Sequence, residues 1–208
     1  EQGVRPLAAA GRGYWGRTHV LDLCAYLGLL ANPGDELALF GVLASPLVGL
    51  SSDALAIISS ETRRDRRWEE LTAGPLPADL PPDDRVRLER FLAWLPRERR
   101  EAAGHALARL IERVVTETGY DLYVLGLAGG ERRWANVRKL MRLAEDYEAR
   151  HGRDLRGFVD RATSEVEAGD RESDAPVTDA DGSAVRMMSI HAAKGLEFPV
   201  VVVADIGH

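Results

Sequence analysis

The sequence has one cysteine, Cys24, among 208 residues. No disulfide framework is therefore expected, and a reducing compartment, the cytoplasm, is favoured. No apolar stretch approaches about 18 residues, so no membrane span is predicted, and nothing near the N-terminus resembles a signal peptide. Positive charge is not in excess either. The formal net charge is −6, so the chain as a whole lacks the basic character of many nucleic-acid-binding proteins.

Positive charge is instead concentrated in three local clusters of arginine. Each cluster is interleaved with aspartate or glutamate, which favours solvated, ion-paired helix faces. A phosphate-binding patch is the alternative. The clusters are Arg63, Arg64, Arg66 and Arg67; Arg97, Arg99 and Arg100; and Arg132, Arg133 and Arg138.

Apolar residues recur at three- and four-residue intervals over most of the chain, which predicts a largely helical body. One large domain or two small ones are compatible with this length. Residues 72–82 hold four prolines and are predicted to form a loop. Residues 169–184 offer almost nothing to bury and are predicted to be a flexible linker. Helices are predicted over about 18–30, 35–43, 51–58, 86–95 (ending before Pro96), 107–115, 134–150 and 154–168.

Strand-like runs lie at the two ends of the chain, at residues 4–10, 185–190 and 200–203. The helical body is therefore expected to interrupt an α/β unit. The chain opens on Glu1 rather than methionine and stops soon after the last apolar run, which suggests a piece of a longer protein.

A polar turn with His191, Lys194, Gly195 and Glu197 connects the last two apolar runs. Connections of this type present ligand-binding groups at a sheet edge in α/β proteins. Glycine beside lysine lets the backbone approach a phosphate. Taken singly, these residues are also compatible with an ordinary turn and a surface carboxylate. The sequence contains no Gly-x-x-x-x-Gly-Lys-Ser/Thr phosphate-binding loop.

The segment Ser189–Phe198, Ser-Ile-His-Ala-Ala-Lys-Gly-Leu-Glu-Phe, closely resembles motif V of UvrD/Rep-type superfamily 1 DNA helicases. The resemblance implies that Glu197 contacts the nucleotide ribose and that Lys194 and Gly195 lie near the γ-phosphate. It assigns Ser189 and His191 to the single-stranded DNA backbone. One stiff segment that bridges two ligands is a physically sensible coupling element.

The segment Gly11–Asp22 resembles motif IVa of the same helicases. Arg17 and Asp22 fit the pattern, while His19 and Leu21 replace the usual glutamate and lysine. The resemblance makes Arg12 a DNA-phosphate contact. The adjacent aromatic pair, Tyr14-Trp15, is interpreted as packing beneath the first helix.

Residues 44–51, Ala-Ser-Pro-Leu-Val-Gly-Leu-Ser, stand where UvrD-like proteins have a Gly-Ile-Gly turn that meets duplex DNA. The Ser-Pro form resembles RecB/AddA-like helicase–nuclease subunits, which we favour over a stand-alone UvrD-like enzyme. Residues 117–120 and 133–140 resemble helical landmarks of the inserted 2B domain.

The implied fold class is mostly α with a small α/β part. It would be a partial RecA-like domain, 2A, whose terminal strands share a sheet, interrupted by an α-helical 2B insertion. The implied limits are 1–50 for the first part of 2A, 51–168 for 2B, 169–184 for the linker and 185–208 for the return to 2A.

The implied function is part of an ATP-dependent 3′–5′ DNA helicase acting in repair or recombination, with ATP and Mg²⁺ as cofactors. The implied partners are single-stranded and duplex DNA and the remaining helicase domains (1A, 1B and the rest of 2A), with no membrane. Because the Walker A lysine, the Walker B acids and the motif VI arginine have no counterpart, this chain alone is expected not to hydrolyse ATP. The rival interpretation is a non-enzymatic helical protein-interaction module.

Overall fold

The computed structural model describes residues 6–8, 13–168, 185–187, 197 and 199–203. Helices dominate these residues, and a 3-10 turn at Arg64–Arg66 precedes the fourth of them. The predicted linker at 169–184 lies outside the described residues. The helices are α1 (Thr18–Ala31), α2 (Glu36–Ala44), α3 (Ser52–Glu61), α4 (Arg67–Ala73), α5 (Pro82–Ala102), α6 (Leu107–Thr118), α7 (Tyr120–Gly126), α8 (Gly130–His151) and α9 (Leu155–Glu167).

Side-chain caps and a left-handed glycine set several helix ends where the sequence predicts them. Asp35 accepts a hydrogen bond from the backbone N–H of Ala38 and begins α2. Ser51 does the same for Ala54 and begins α3. Both caps satisfy an amide that the helix itself leaves unpaired. Gly119, with φ of +67°, ends α6 in a conformation that side chains with a Cβ rarely adopt.

Helices α1 and α2 pack closely because small residues face each other between them. A Cβ added to Gly41 would lie 3.1 Å from the Cβ of Ala25, and one added to Gly28 would lie 3.4 Å from that of Ala38. The apolar core continues from this contact through α5, α6 and α8 to Phe158 of α9. One hydrophobic cluster therefore contains buried apolar residues from positions as far apart as Tyr14 and Ala162.

Helix α5 differs from the prediction because it runs through Pro96 to Ala102 instead of ending before the proline. A proline inside a helix removes one backbone hydrogen bond and costs about 3 kcal/mol. Buried residues on both sides of Pro96 offset this cost. Leu95 and Glu98 are both buried, and Glu98 accepts hydrogen bonds from Arg113 of α6. Tertiary contacts therefore override the local stop signal.

Two short helices were not predicted, α4 and α7, each of seven residues. Seven residues complete only two turns, too few to display a convincing apolar period. Helix α4 also shortens the predicted loop at 72–82, because it continues to Ala73.

The predicted α/β part is the main correction. Strand structure among the described residues is confined to β1 (Pro6–Ala8) and β2 (Val185–Met187), which pair in parallel. Two strands of three residues do not form the sheet of a RecA-like domain, because an independently stable sheet needs at least about three strands or a packed face. The fold class of the described residues is mostly helical. The predicted partial RecA-like domain built on a sheet of terminal strands is therefore wrong.

The apolar run Val200–Val203 shows why the prediction failed. It was predicted to be a buried strand, yet it has no strand structure, and its four side chains are 51–86% exposed. β-Branched residues favour strands where neighbouring strands pair with the backbone and pack against the side chains. No described strand lies beside this run.

Within the described residues, none of the helices has both the length and the apolar character that crossing a membrane requires.

Candidate functional site

Of the residues that the resemblance assigns to nucleotide and DNA, the structure describes Glu197. It lies outside any helix or strand, and its side chain is exposed. Ser189, His191, Lys194, Gly195 and Arg12 lie outside the described residues. The roles that the resemblance assigns to these six residues are therefore still predictions.

The segment that follows Arg12 is anchored on helix α8. The hydroxyl of Tyr14 donates a hydrogen bond of 3.0 Å to the backbone carbonyl of Asn136. The Tyr14 ring meets Trp15 edge-on, with 5.2 Å between ring centroids, and the Nζ atom of Lys139 lies 4.4 Å from the Tyr14 ring centroid. Tyr14 and Trp15 are both buried, at 0% and 3% exposure. The interpretation that they are packing residues is confirmed, and the contacts of Tyr14 are with α8.

His19, at a position where the family usually has glutamate, is a buried residue of α1. Its Nε2 atom lies 3.2 Å from the side-chain amide nitrogen of Asn136. The amide nitrogen can only donate, so Nε2 is the acceptor in this contact. Helix α1 and helix α8 are therefore joined by a buried polar contact beside the Tyr14 anchor.

Asp22, which fits the motif IVa pattern, serves a structural contact in the described residues. The hydroxyl of Tyr120 donates a hydrogen bond of 2.6 Å to its carboxylate. Burial raises the pKa of Asp22, and the hydrogen bond from Tyr120 opposes that rise. The bond ties α1 to α7 over 98 residues of sequence.

The Ser-Pro segment between α2 and α3 forms a compact turn. Ser45 is buried, and its hydroxyl donates a hydrogen bond of 2.8 Å to the carbonyl of Val42. The carbonyl of Ser45 accepts a bond of 2.7 Å from the N–H of Gly49, whose φ is +76°. Glycine suits this left-handed position because it has no Cβ. The turn is thus fixed from within at Ser45 and Gly49.

A long-range clamp fixes the end of this turn, and sequence reasoning missed it. The buried carboxylate of Asp84, on α5, accepts hydrogen bonds from the N–H of Ser51 (3.1 Å) and from its hydroxyl (2.5 Å). Arg87 donates to the carbonyl of Gly49 (3.1 Å) and to Asp84 (3.2 Å). The bond from the Ser51 hydroxyl is the main reason why the pKa of Asp84 is lowered. Only the Asp-Asp pair at the start of α5 hinted at this, as a helix N-terminal signature.

Replacement of Asp84 by asparagine is expected to lower the free energy of unfolding by about 2–3 kcal/mol at pH 7, because hydrogen bonds to a charged acceptor are lost. The folded-state pKa is lowered, so the stabilisation is fully present above the unfolded pKa of about 3.9 and is lost as pH falls through the folded pKa. Urea unfolding of wild type and Asp84→Asn from pH 7 to pH 3 should show the difference shrinking. The exposed neighbour gives the control Asp83→Asn; equal losses in both variants would contradict the clamp.

Ion pairs neutralise all four arginines of the first cluster, which confirms that interpretation there. In the second cluster Arg97 pairs with Glu117, whereas Arg99 donates to the backbone carbonyl of Leu30. Arg67 is nearly buried and pairs with Glu36 while lying over the Phe40 ring. The remaining pairs are more exposed, and such pairs each contribute roughly 0–1 kcal/mol. They are Arg63 with Glu70, Arg64 with Glu36, Arg66 with Glu69, and Arg97 with Glu117.

The third cluster departs from that interpretation. Within the part of the chain that the structure describes, Arg132 and Arg138 have no carboxylate partner, and Arg133 donates to the backbone carbonyl of Ala128.

The described residues also contain no group of histidine, cysteine or acidic side chains able to hold a metal ion.

Residues 88–208 match the model of a family described as UvrD-like helicase C-terminal domain. The matched part is more than half of the chain. The chain belongs to the UvrD-like helicase C-terminal domain family.

Relatives that match the whole UvrD-like chain identify its branch. The AddA-type subunit of the ATP-dependent helicase/nuclease of Bacillus licheniformis is 35% identical over 209 residues, which cover 100% of this chain and 17% of the relative. The protein of the same name from Desulforudis audaxviator is 38% identical over 211 residues, which cover 99% of this chain and 16% of the relative. The RecB/AddA-like helicase–nuclease branch, predicted from the Ser-Pro turn, is confirmed. The chain spans about a sixth of the length of these relatives.

Proposed function

We propose that this chain is part of an ATP-dependent 3′–5′ DNA helicase that translocates on single-stranded DNA in repair or recombination, within a helicase–nuclease. The observation that carries the proposal is the similarity of essentially the whole chain to AddA-type proteins named as ATP-dependent helicase/nucleases. ATP with Mg²⁺ is the proposed cofactor, DNA the substrate and the cytoplasm the location. The chain on its own is inactive as an ATPase in this proposal, because it lacks a phosphate cradle and a metal-holding acid pair.

The proposed roles follow the motif V and motif IVa similarity. Glu197 binds the ribose, and Lys194 with Gly195 lies near the γ-phosphate. Ser189 and His191 contact single-stranded DNA. The exposed side chain of Glu197 supports its part of this assignment, since a ribose contact requires an accessible carboxylate.

Arg12 contacts DNA in the same proposal. The similarity of Gly11–Asp22 to motif IVa supports this role. The proposed division concerns the course of the sequence and not a shared sheet. It assigns residues 1–50 and 185–208 to domain 2A and residues 51–168 to domain 2B, joined through residues 169–184. The remaining helicase domains, 1A, 1B and the rest of 2A, are the proposed intramolecular partners.

The Glu197→Ala variant of the full-length protein is expected to raise the Kd for ATP about tenfold or more, because a hydrogen bond to a charged acceptor contributes about 1.5–3 kcal/mol. Titration with a fluorescent ATP analogue and DNA-stimulated hydrolysis measure the effect. Glu167→Ala, which removes an exposed carboxylate at the end of α9, is the matched control and should change neither quantity. Unchanged ATP affinity in Glu197→Ala would remove the ribose assignment. A wild-type protein without DNA-stimulated ATP hydrolysis would favour the helical interaction module.

A further inference from the structure

The first half of helix α8 carries an unusual concentration of positive charge. Five basic residues and no acidic residue lie between positions 132 and 144, in a chain whose net charge is −6. Acidic residues return only from Glu145 onward. Other exposed arginines without an ion pair among the described residues, such as Arg100 and Arg161, stand beside an acidic residue in the sequence. This segment is distinguished by a run of basic residues that no carboxylate interrupts.

Helical geometry places four of these basic residues on one side. At about 100° per residue, Arg132, Arg138, Lys139 and Arg142 fall within an arc of about 120° and extend over roughly 15 Å of the helix axis. We name these four residues the α8 basic ridge. Arg138 and Arg142 are exposed, one turn apart, and neither has a carboxylate partner among residues 6–8, 13–168, 185–187, 197 and 199–203.

The α8 basic ridge lies next to the segment that follows Arg12. Lys139 approaches the Tyr14 ring, and the Tyr14 hydroxyl is bonded to the backbone of Asn136, between Arg132 and Arg138. Tyr14, two residues after Arg12 in the sequence, is therefore fixed against the part of helix α8 that carries Arg138 and Lys139.

The chemistry of the ridge fits a duplex better than a single strand. Non-specific binding of single strands combines positive charge with aromatic rings on which bases stack. The aromatic residues of α8 are engaged in packing, since Trp134 is partly buried against the core and Tyr147 is buried. Duplex DNA presents roughly one negative charge per 1.7 Å of its axis, so a convex cationic ridge of about 15 Å faces several phosphates. Contacts of this kind position a protein on DNA without reading its sequence.

We propose that the α8 basic ridge binds the phosphate backbone of duplex DNA. The proposal rests on the proposed helicase function and adds a DNA contact that lies outside the motif V and motif IVa segments. Arg138 and Arg142 supply the two exposed charges, and Lys139 and Arg132 lie on one side of them around the helix.

The test uses the full-length protein and a fluorescently labelled blunt duplex of about 20 base pairs, with a single strand of the same length as a second probe. Arg138→Gln/Arg142→Gln removes two charges, and Arg138→Lys/Arg142→Lys retains them. The matched control is Arg156→Gln/Arg161→Gln, which removes two exposed arginines of α9 that have no ion pair among the described residues. Fluorescence anisotropy gives Kd at several salt concentrations, and thermal unfolding with ATP titration verifies that each variant is folded.

The glutamine pair is expected to raise the duplex Kd about tenfold or more near 0.1 M salt. It should also reduce the magnitude of the slope of log K against log salt by about 2, because each phosphate contact contributes roughly 0.9 to that slope. The lysine pair and the α9 control should remain close to wild type. If the glutamine pair binds the duplex with unchanged affinity while wild type binds DNA, the proposal that the α8 basic ridge binds duplex DNA is wrong. The helicase proposal is not affected by that result. A loss confined to the single strand overturns the duplex assignment. A wild type that binds neither probe contradicts the helicase proposal itself.

Discussion

Replacement of Glu98 by alanine is expected to lower the free energy of unfolding by about 3–5 kcal/mol, the largest effect that we expect for any charged residue here. Removing one member of a buried ion pair leaves the other charge without compensation in a poorly solvated site. Urea denaturation of the 208-residue chain, with the m-value compared between variants, measures the change.

The geometry around Glu98 accounts for this magnitude. Its side chain is fully buried, and its two carboxylate oxygens accept hydrogen bonds of 2.5 and 3.0 Å from the guanidinium of Arg113. This two-point contact joins α5 to α6, and the hydrogen bonds that Arg113 donates to Glu98 raise the pKa of Arg113 further above its ordinary value. Arg113 stays charged in the variant because a guanidinium is not deprotonated in proteins, and the more exposed Glu101, at 2.9 Å, is left to pair with it.

Two further variants separate the ion pair from general charge effects. Glu101→Ala removes the exposed partner of the same arginine and is expected to cost at most about 1 kcal/mol. The double variant Glu98→Met/Arg113→Met removes both charges and should recover most of the loss, because apolar replacements of buried pairs are often neutral. An equal cost for Glu98→Ala and Glu101→Ala would show that burial of Glu98 does not control the stability.

Much of the helical body follows from local signals. The caps Asp35 and Ser51 and the left-handed Gly119 act within a few residues of the helix ends that they define. Apolar periodicity similarly predicts α1, α6 and α9, because one side of each helix faces the common core. These features depend on chemistry that the sequence displays within one or two turns.

The failures share a dependence on distant residues. Helix α5 continues past Pro96 because Glu98 finds Arg113 in another helix. The Ser-Pro turn is clamped by Asp84, which lies 33 residues from Ser51. The run Val200–Val203 has strand composition but no described neighbouring strand. Local composition predicts what a segment is able to form, and the partners determine what it does form.

For the candidate site, the sequence predicted the protein family but not the positions of the site residues. The motif V segment predicted the helicase family, which the family match confirms. The roles of Glu197 and its neighbours depend on where bound ligands lie, and no local pattern fixes that. The Tyr14 anchor on α8 joins positions 122 residues apart, so it was visible only in the structure.

The second large effect concerns that anchor. Tyr14→Ala is expected to lower the free energy of unfolding by about 3–5 kcal/mol, because a fully buried aromatic ring is replaced by a cavity. Tyr14→Phe keeps the ring and removes only the hydroxyl bonded to the carbonyl of Asn136, so it should cost about 1 kcal/mol. Urea unfolding of both variants gives the two contributions separately.

The matched control is Tyr123→Ala on α7, where the ring is 47% exposed and a loss below about 1 kcal/mol is expected. The Tyr14 variants also connect stability with the proposed DNA contact. Tyr14→Phe keeps the ring beside Lys139 and should leave duplex affinity close to wild type, whereas Tyr14→Ala frees the segment that follows Arg12 and should weaken it. If Tyr14→Ala and Tyr14→Phe lost the same stability, the ring would not be the anchor, and the segment would be held by the hydroxyl alone.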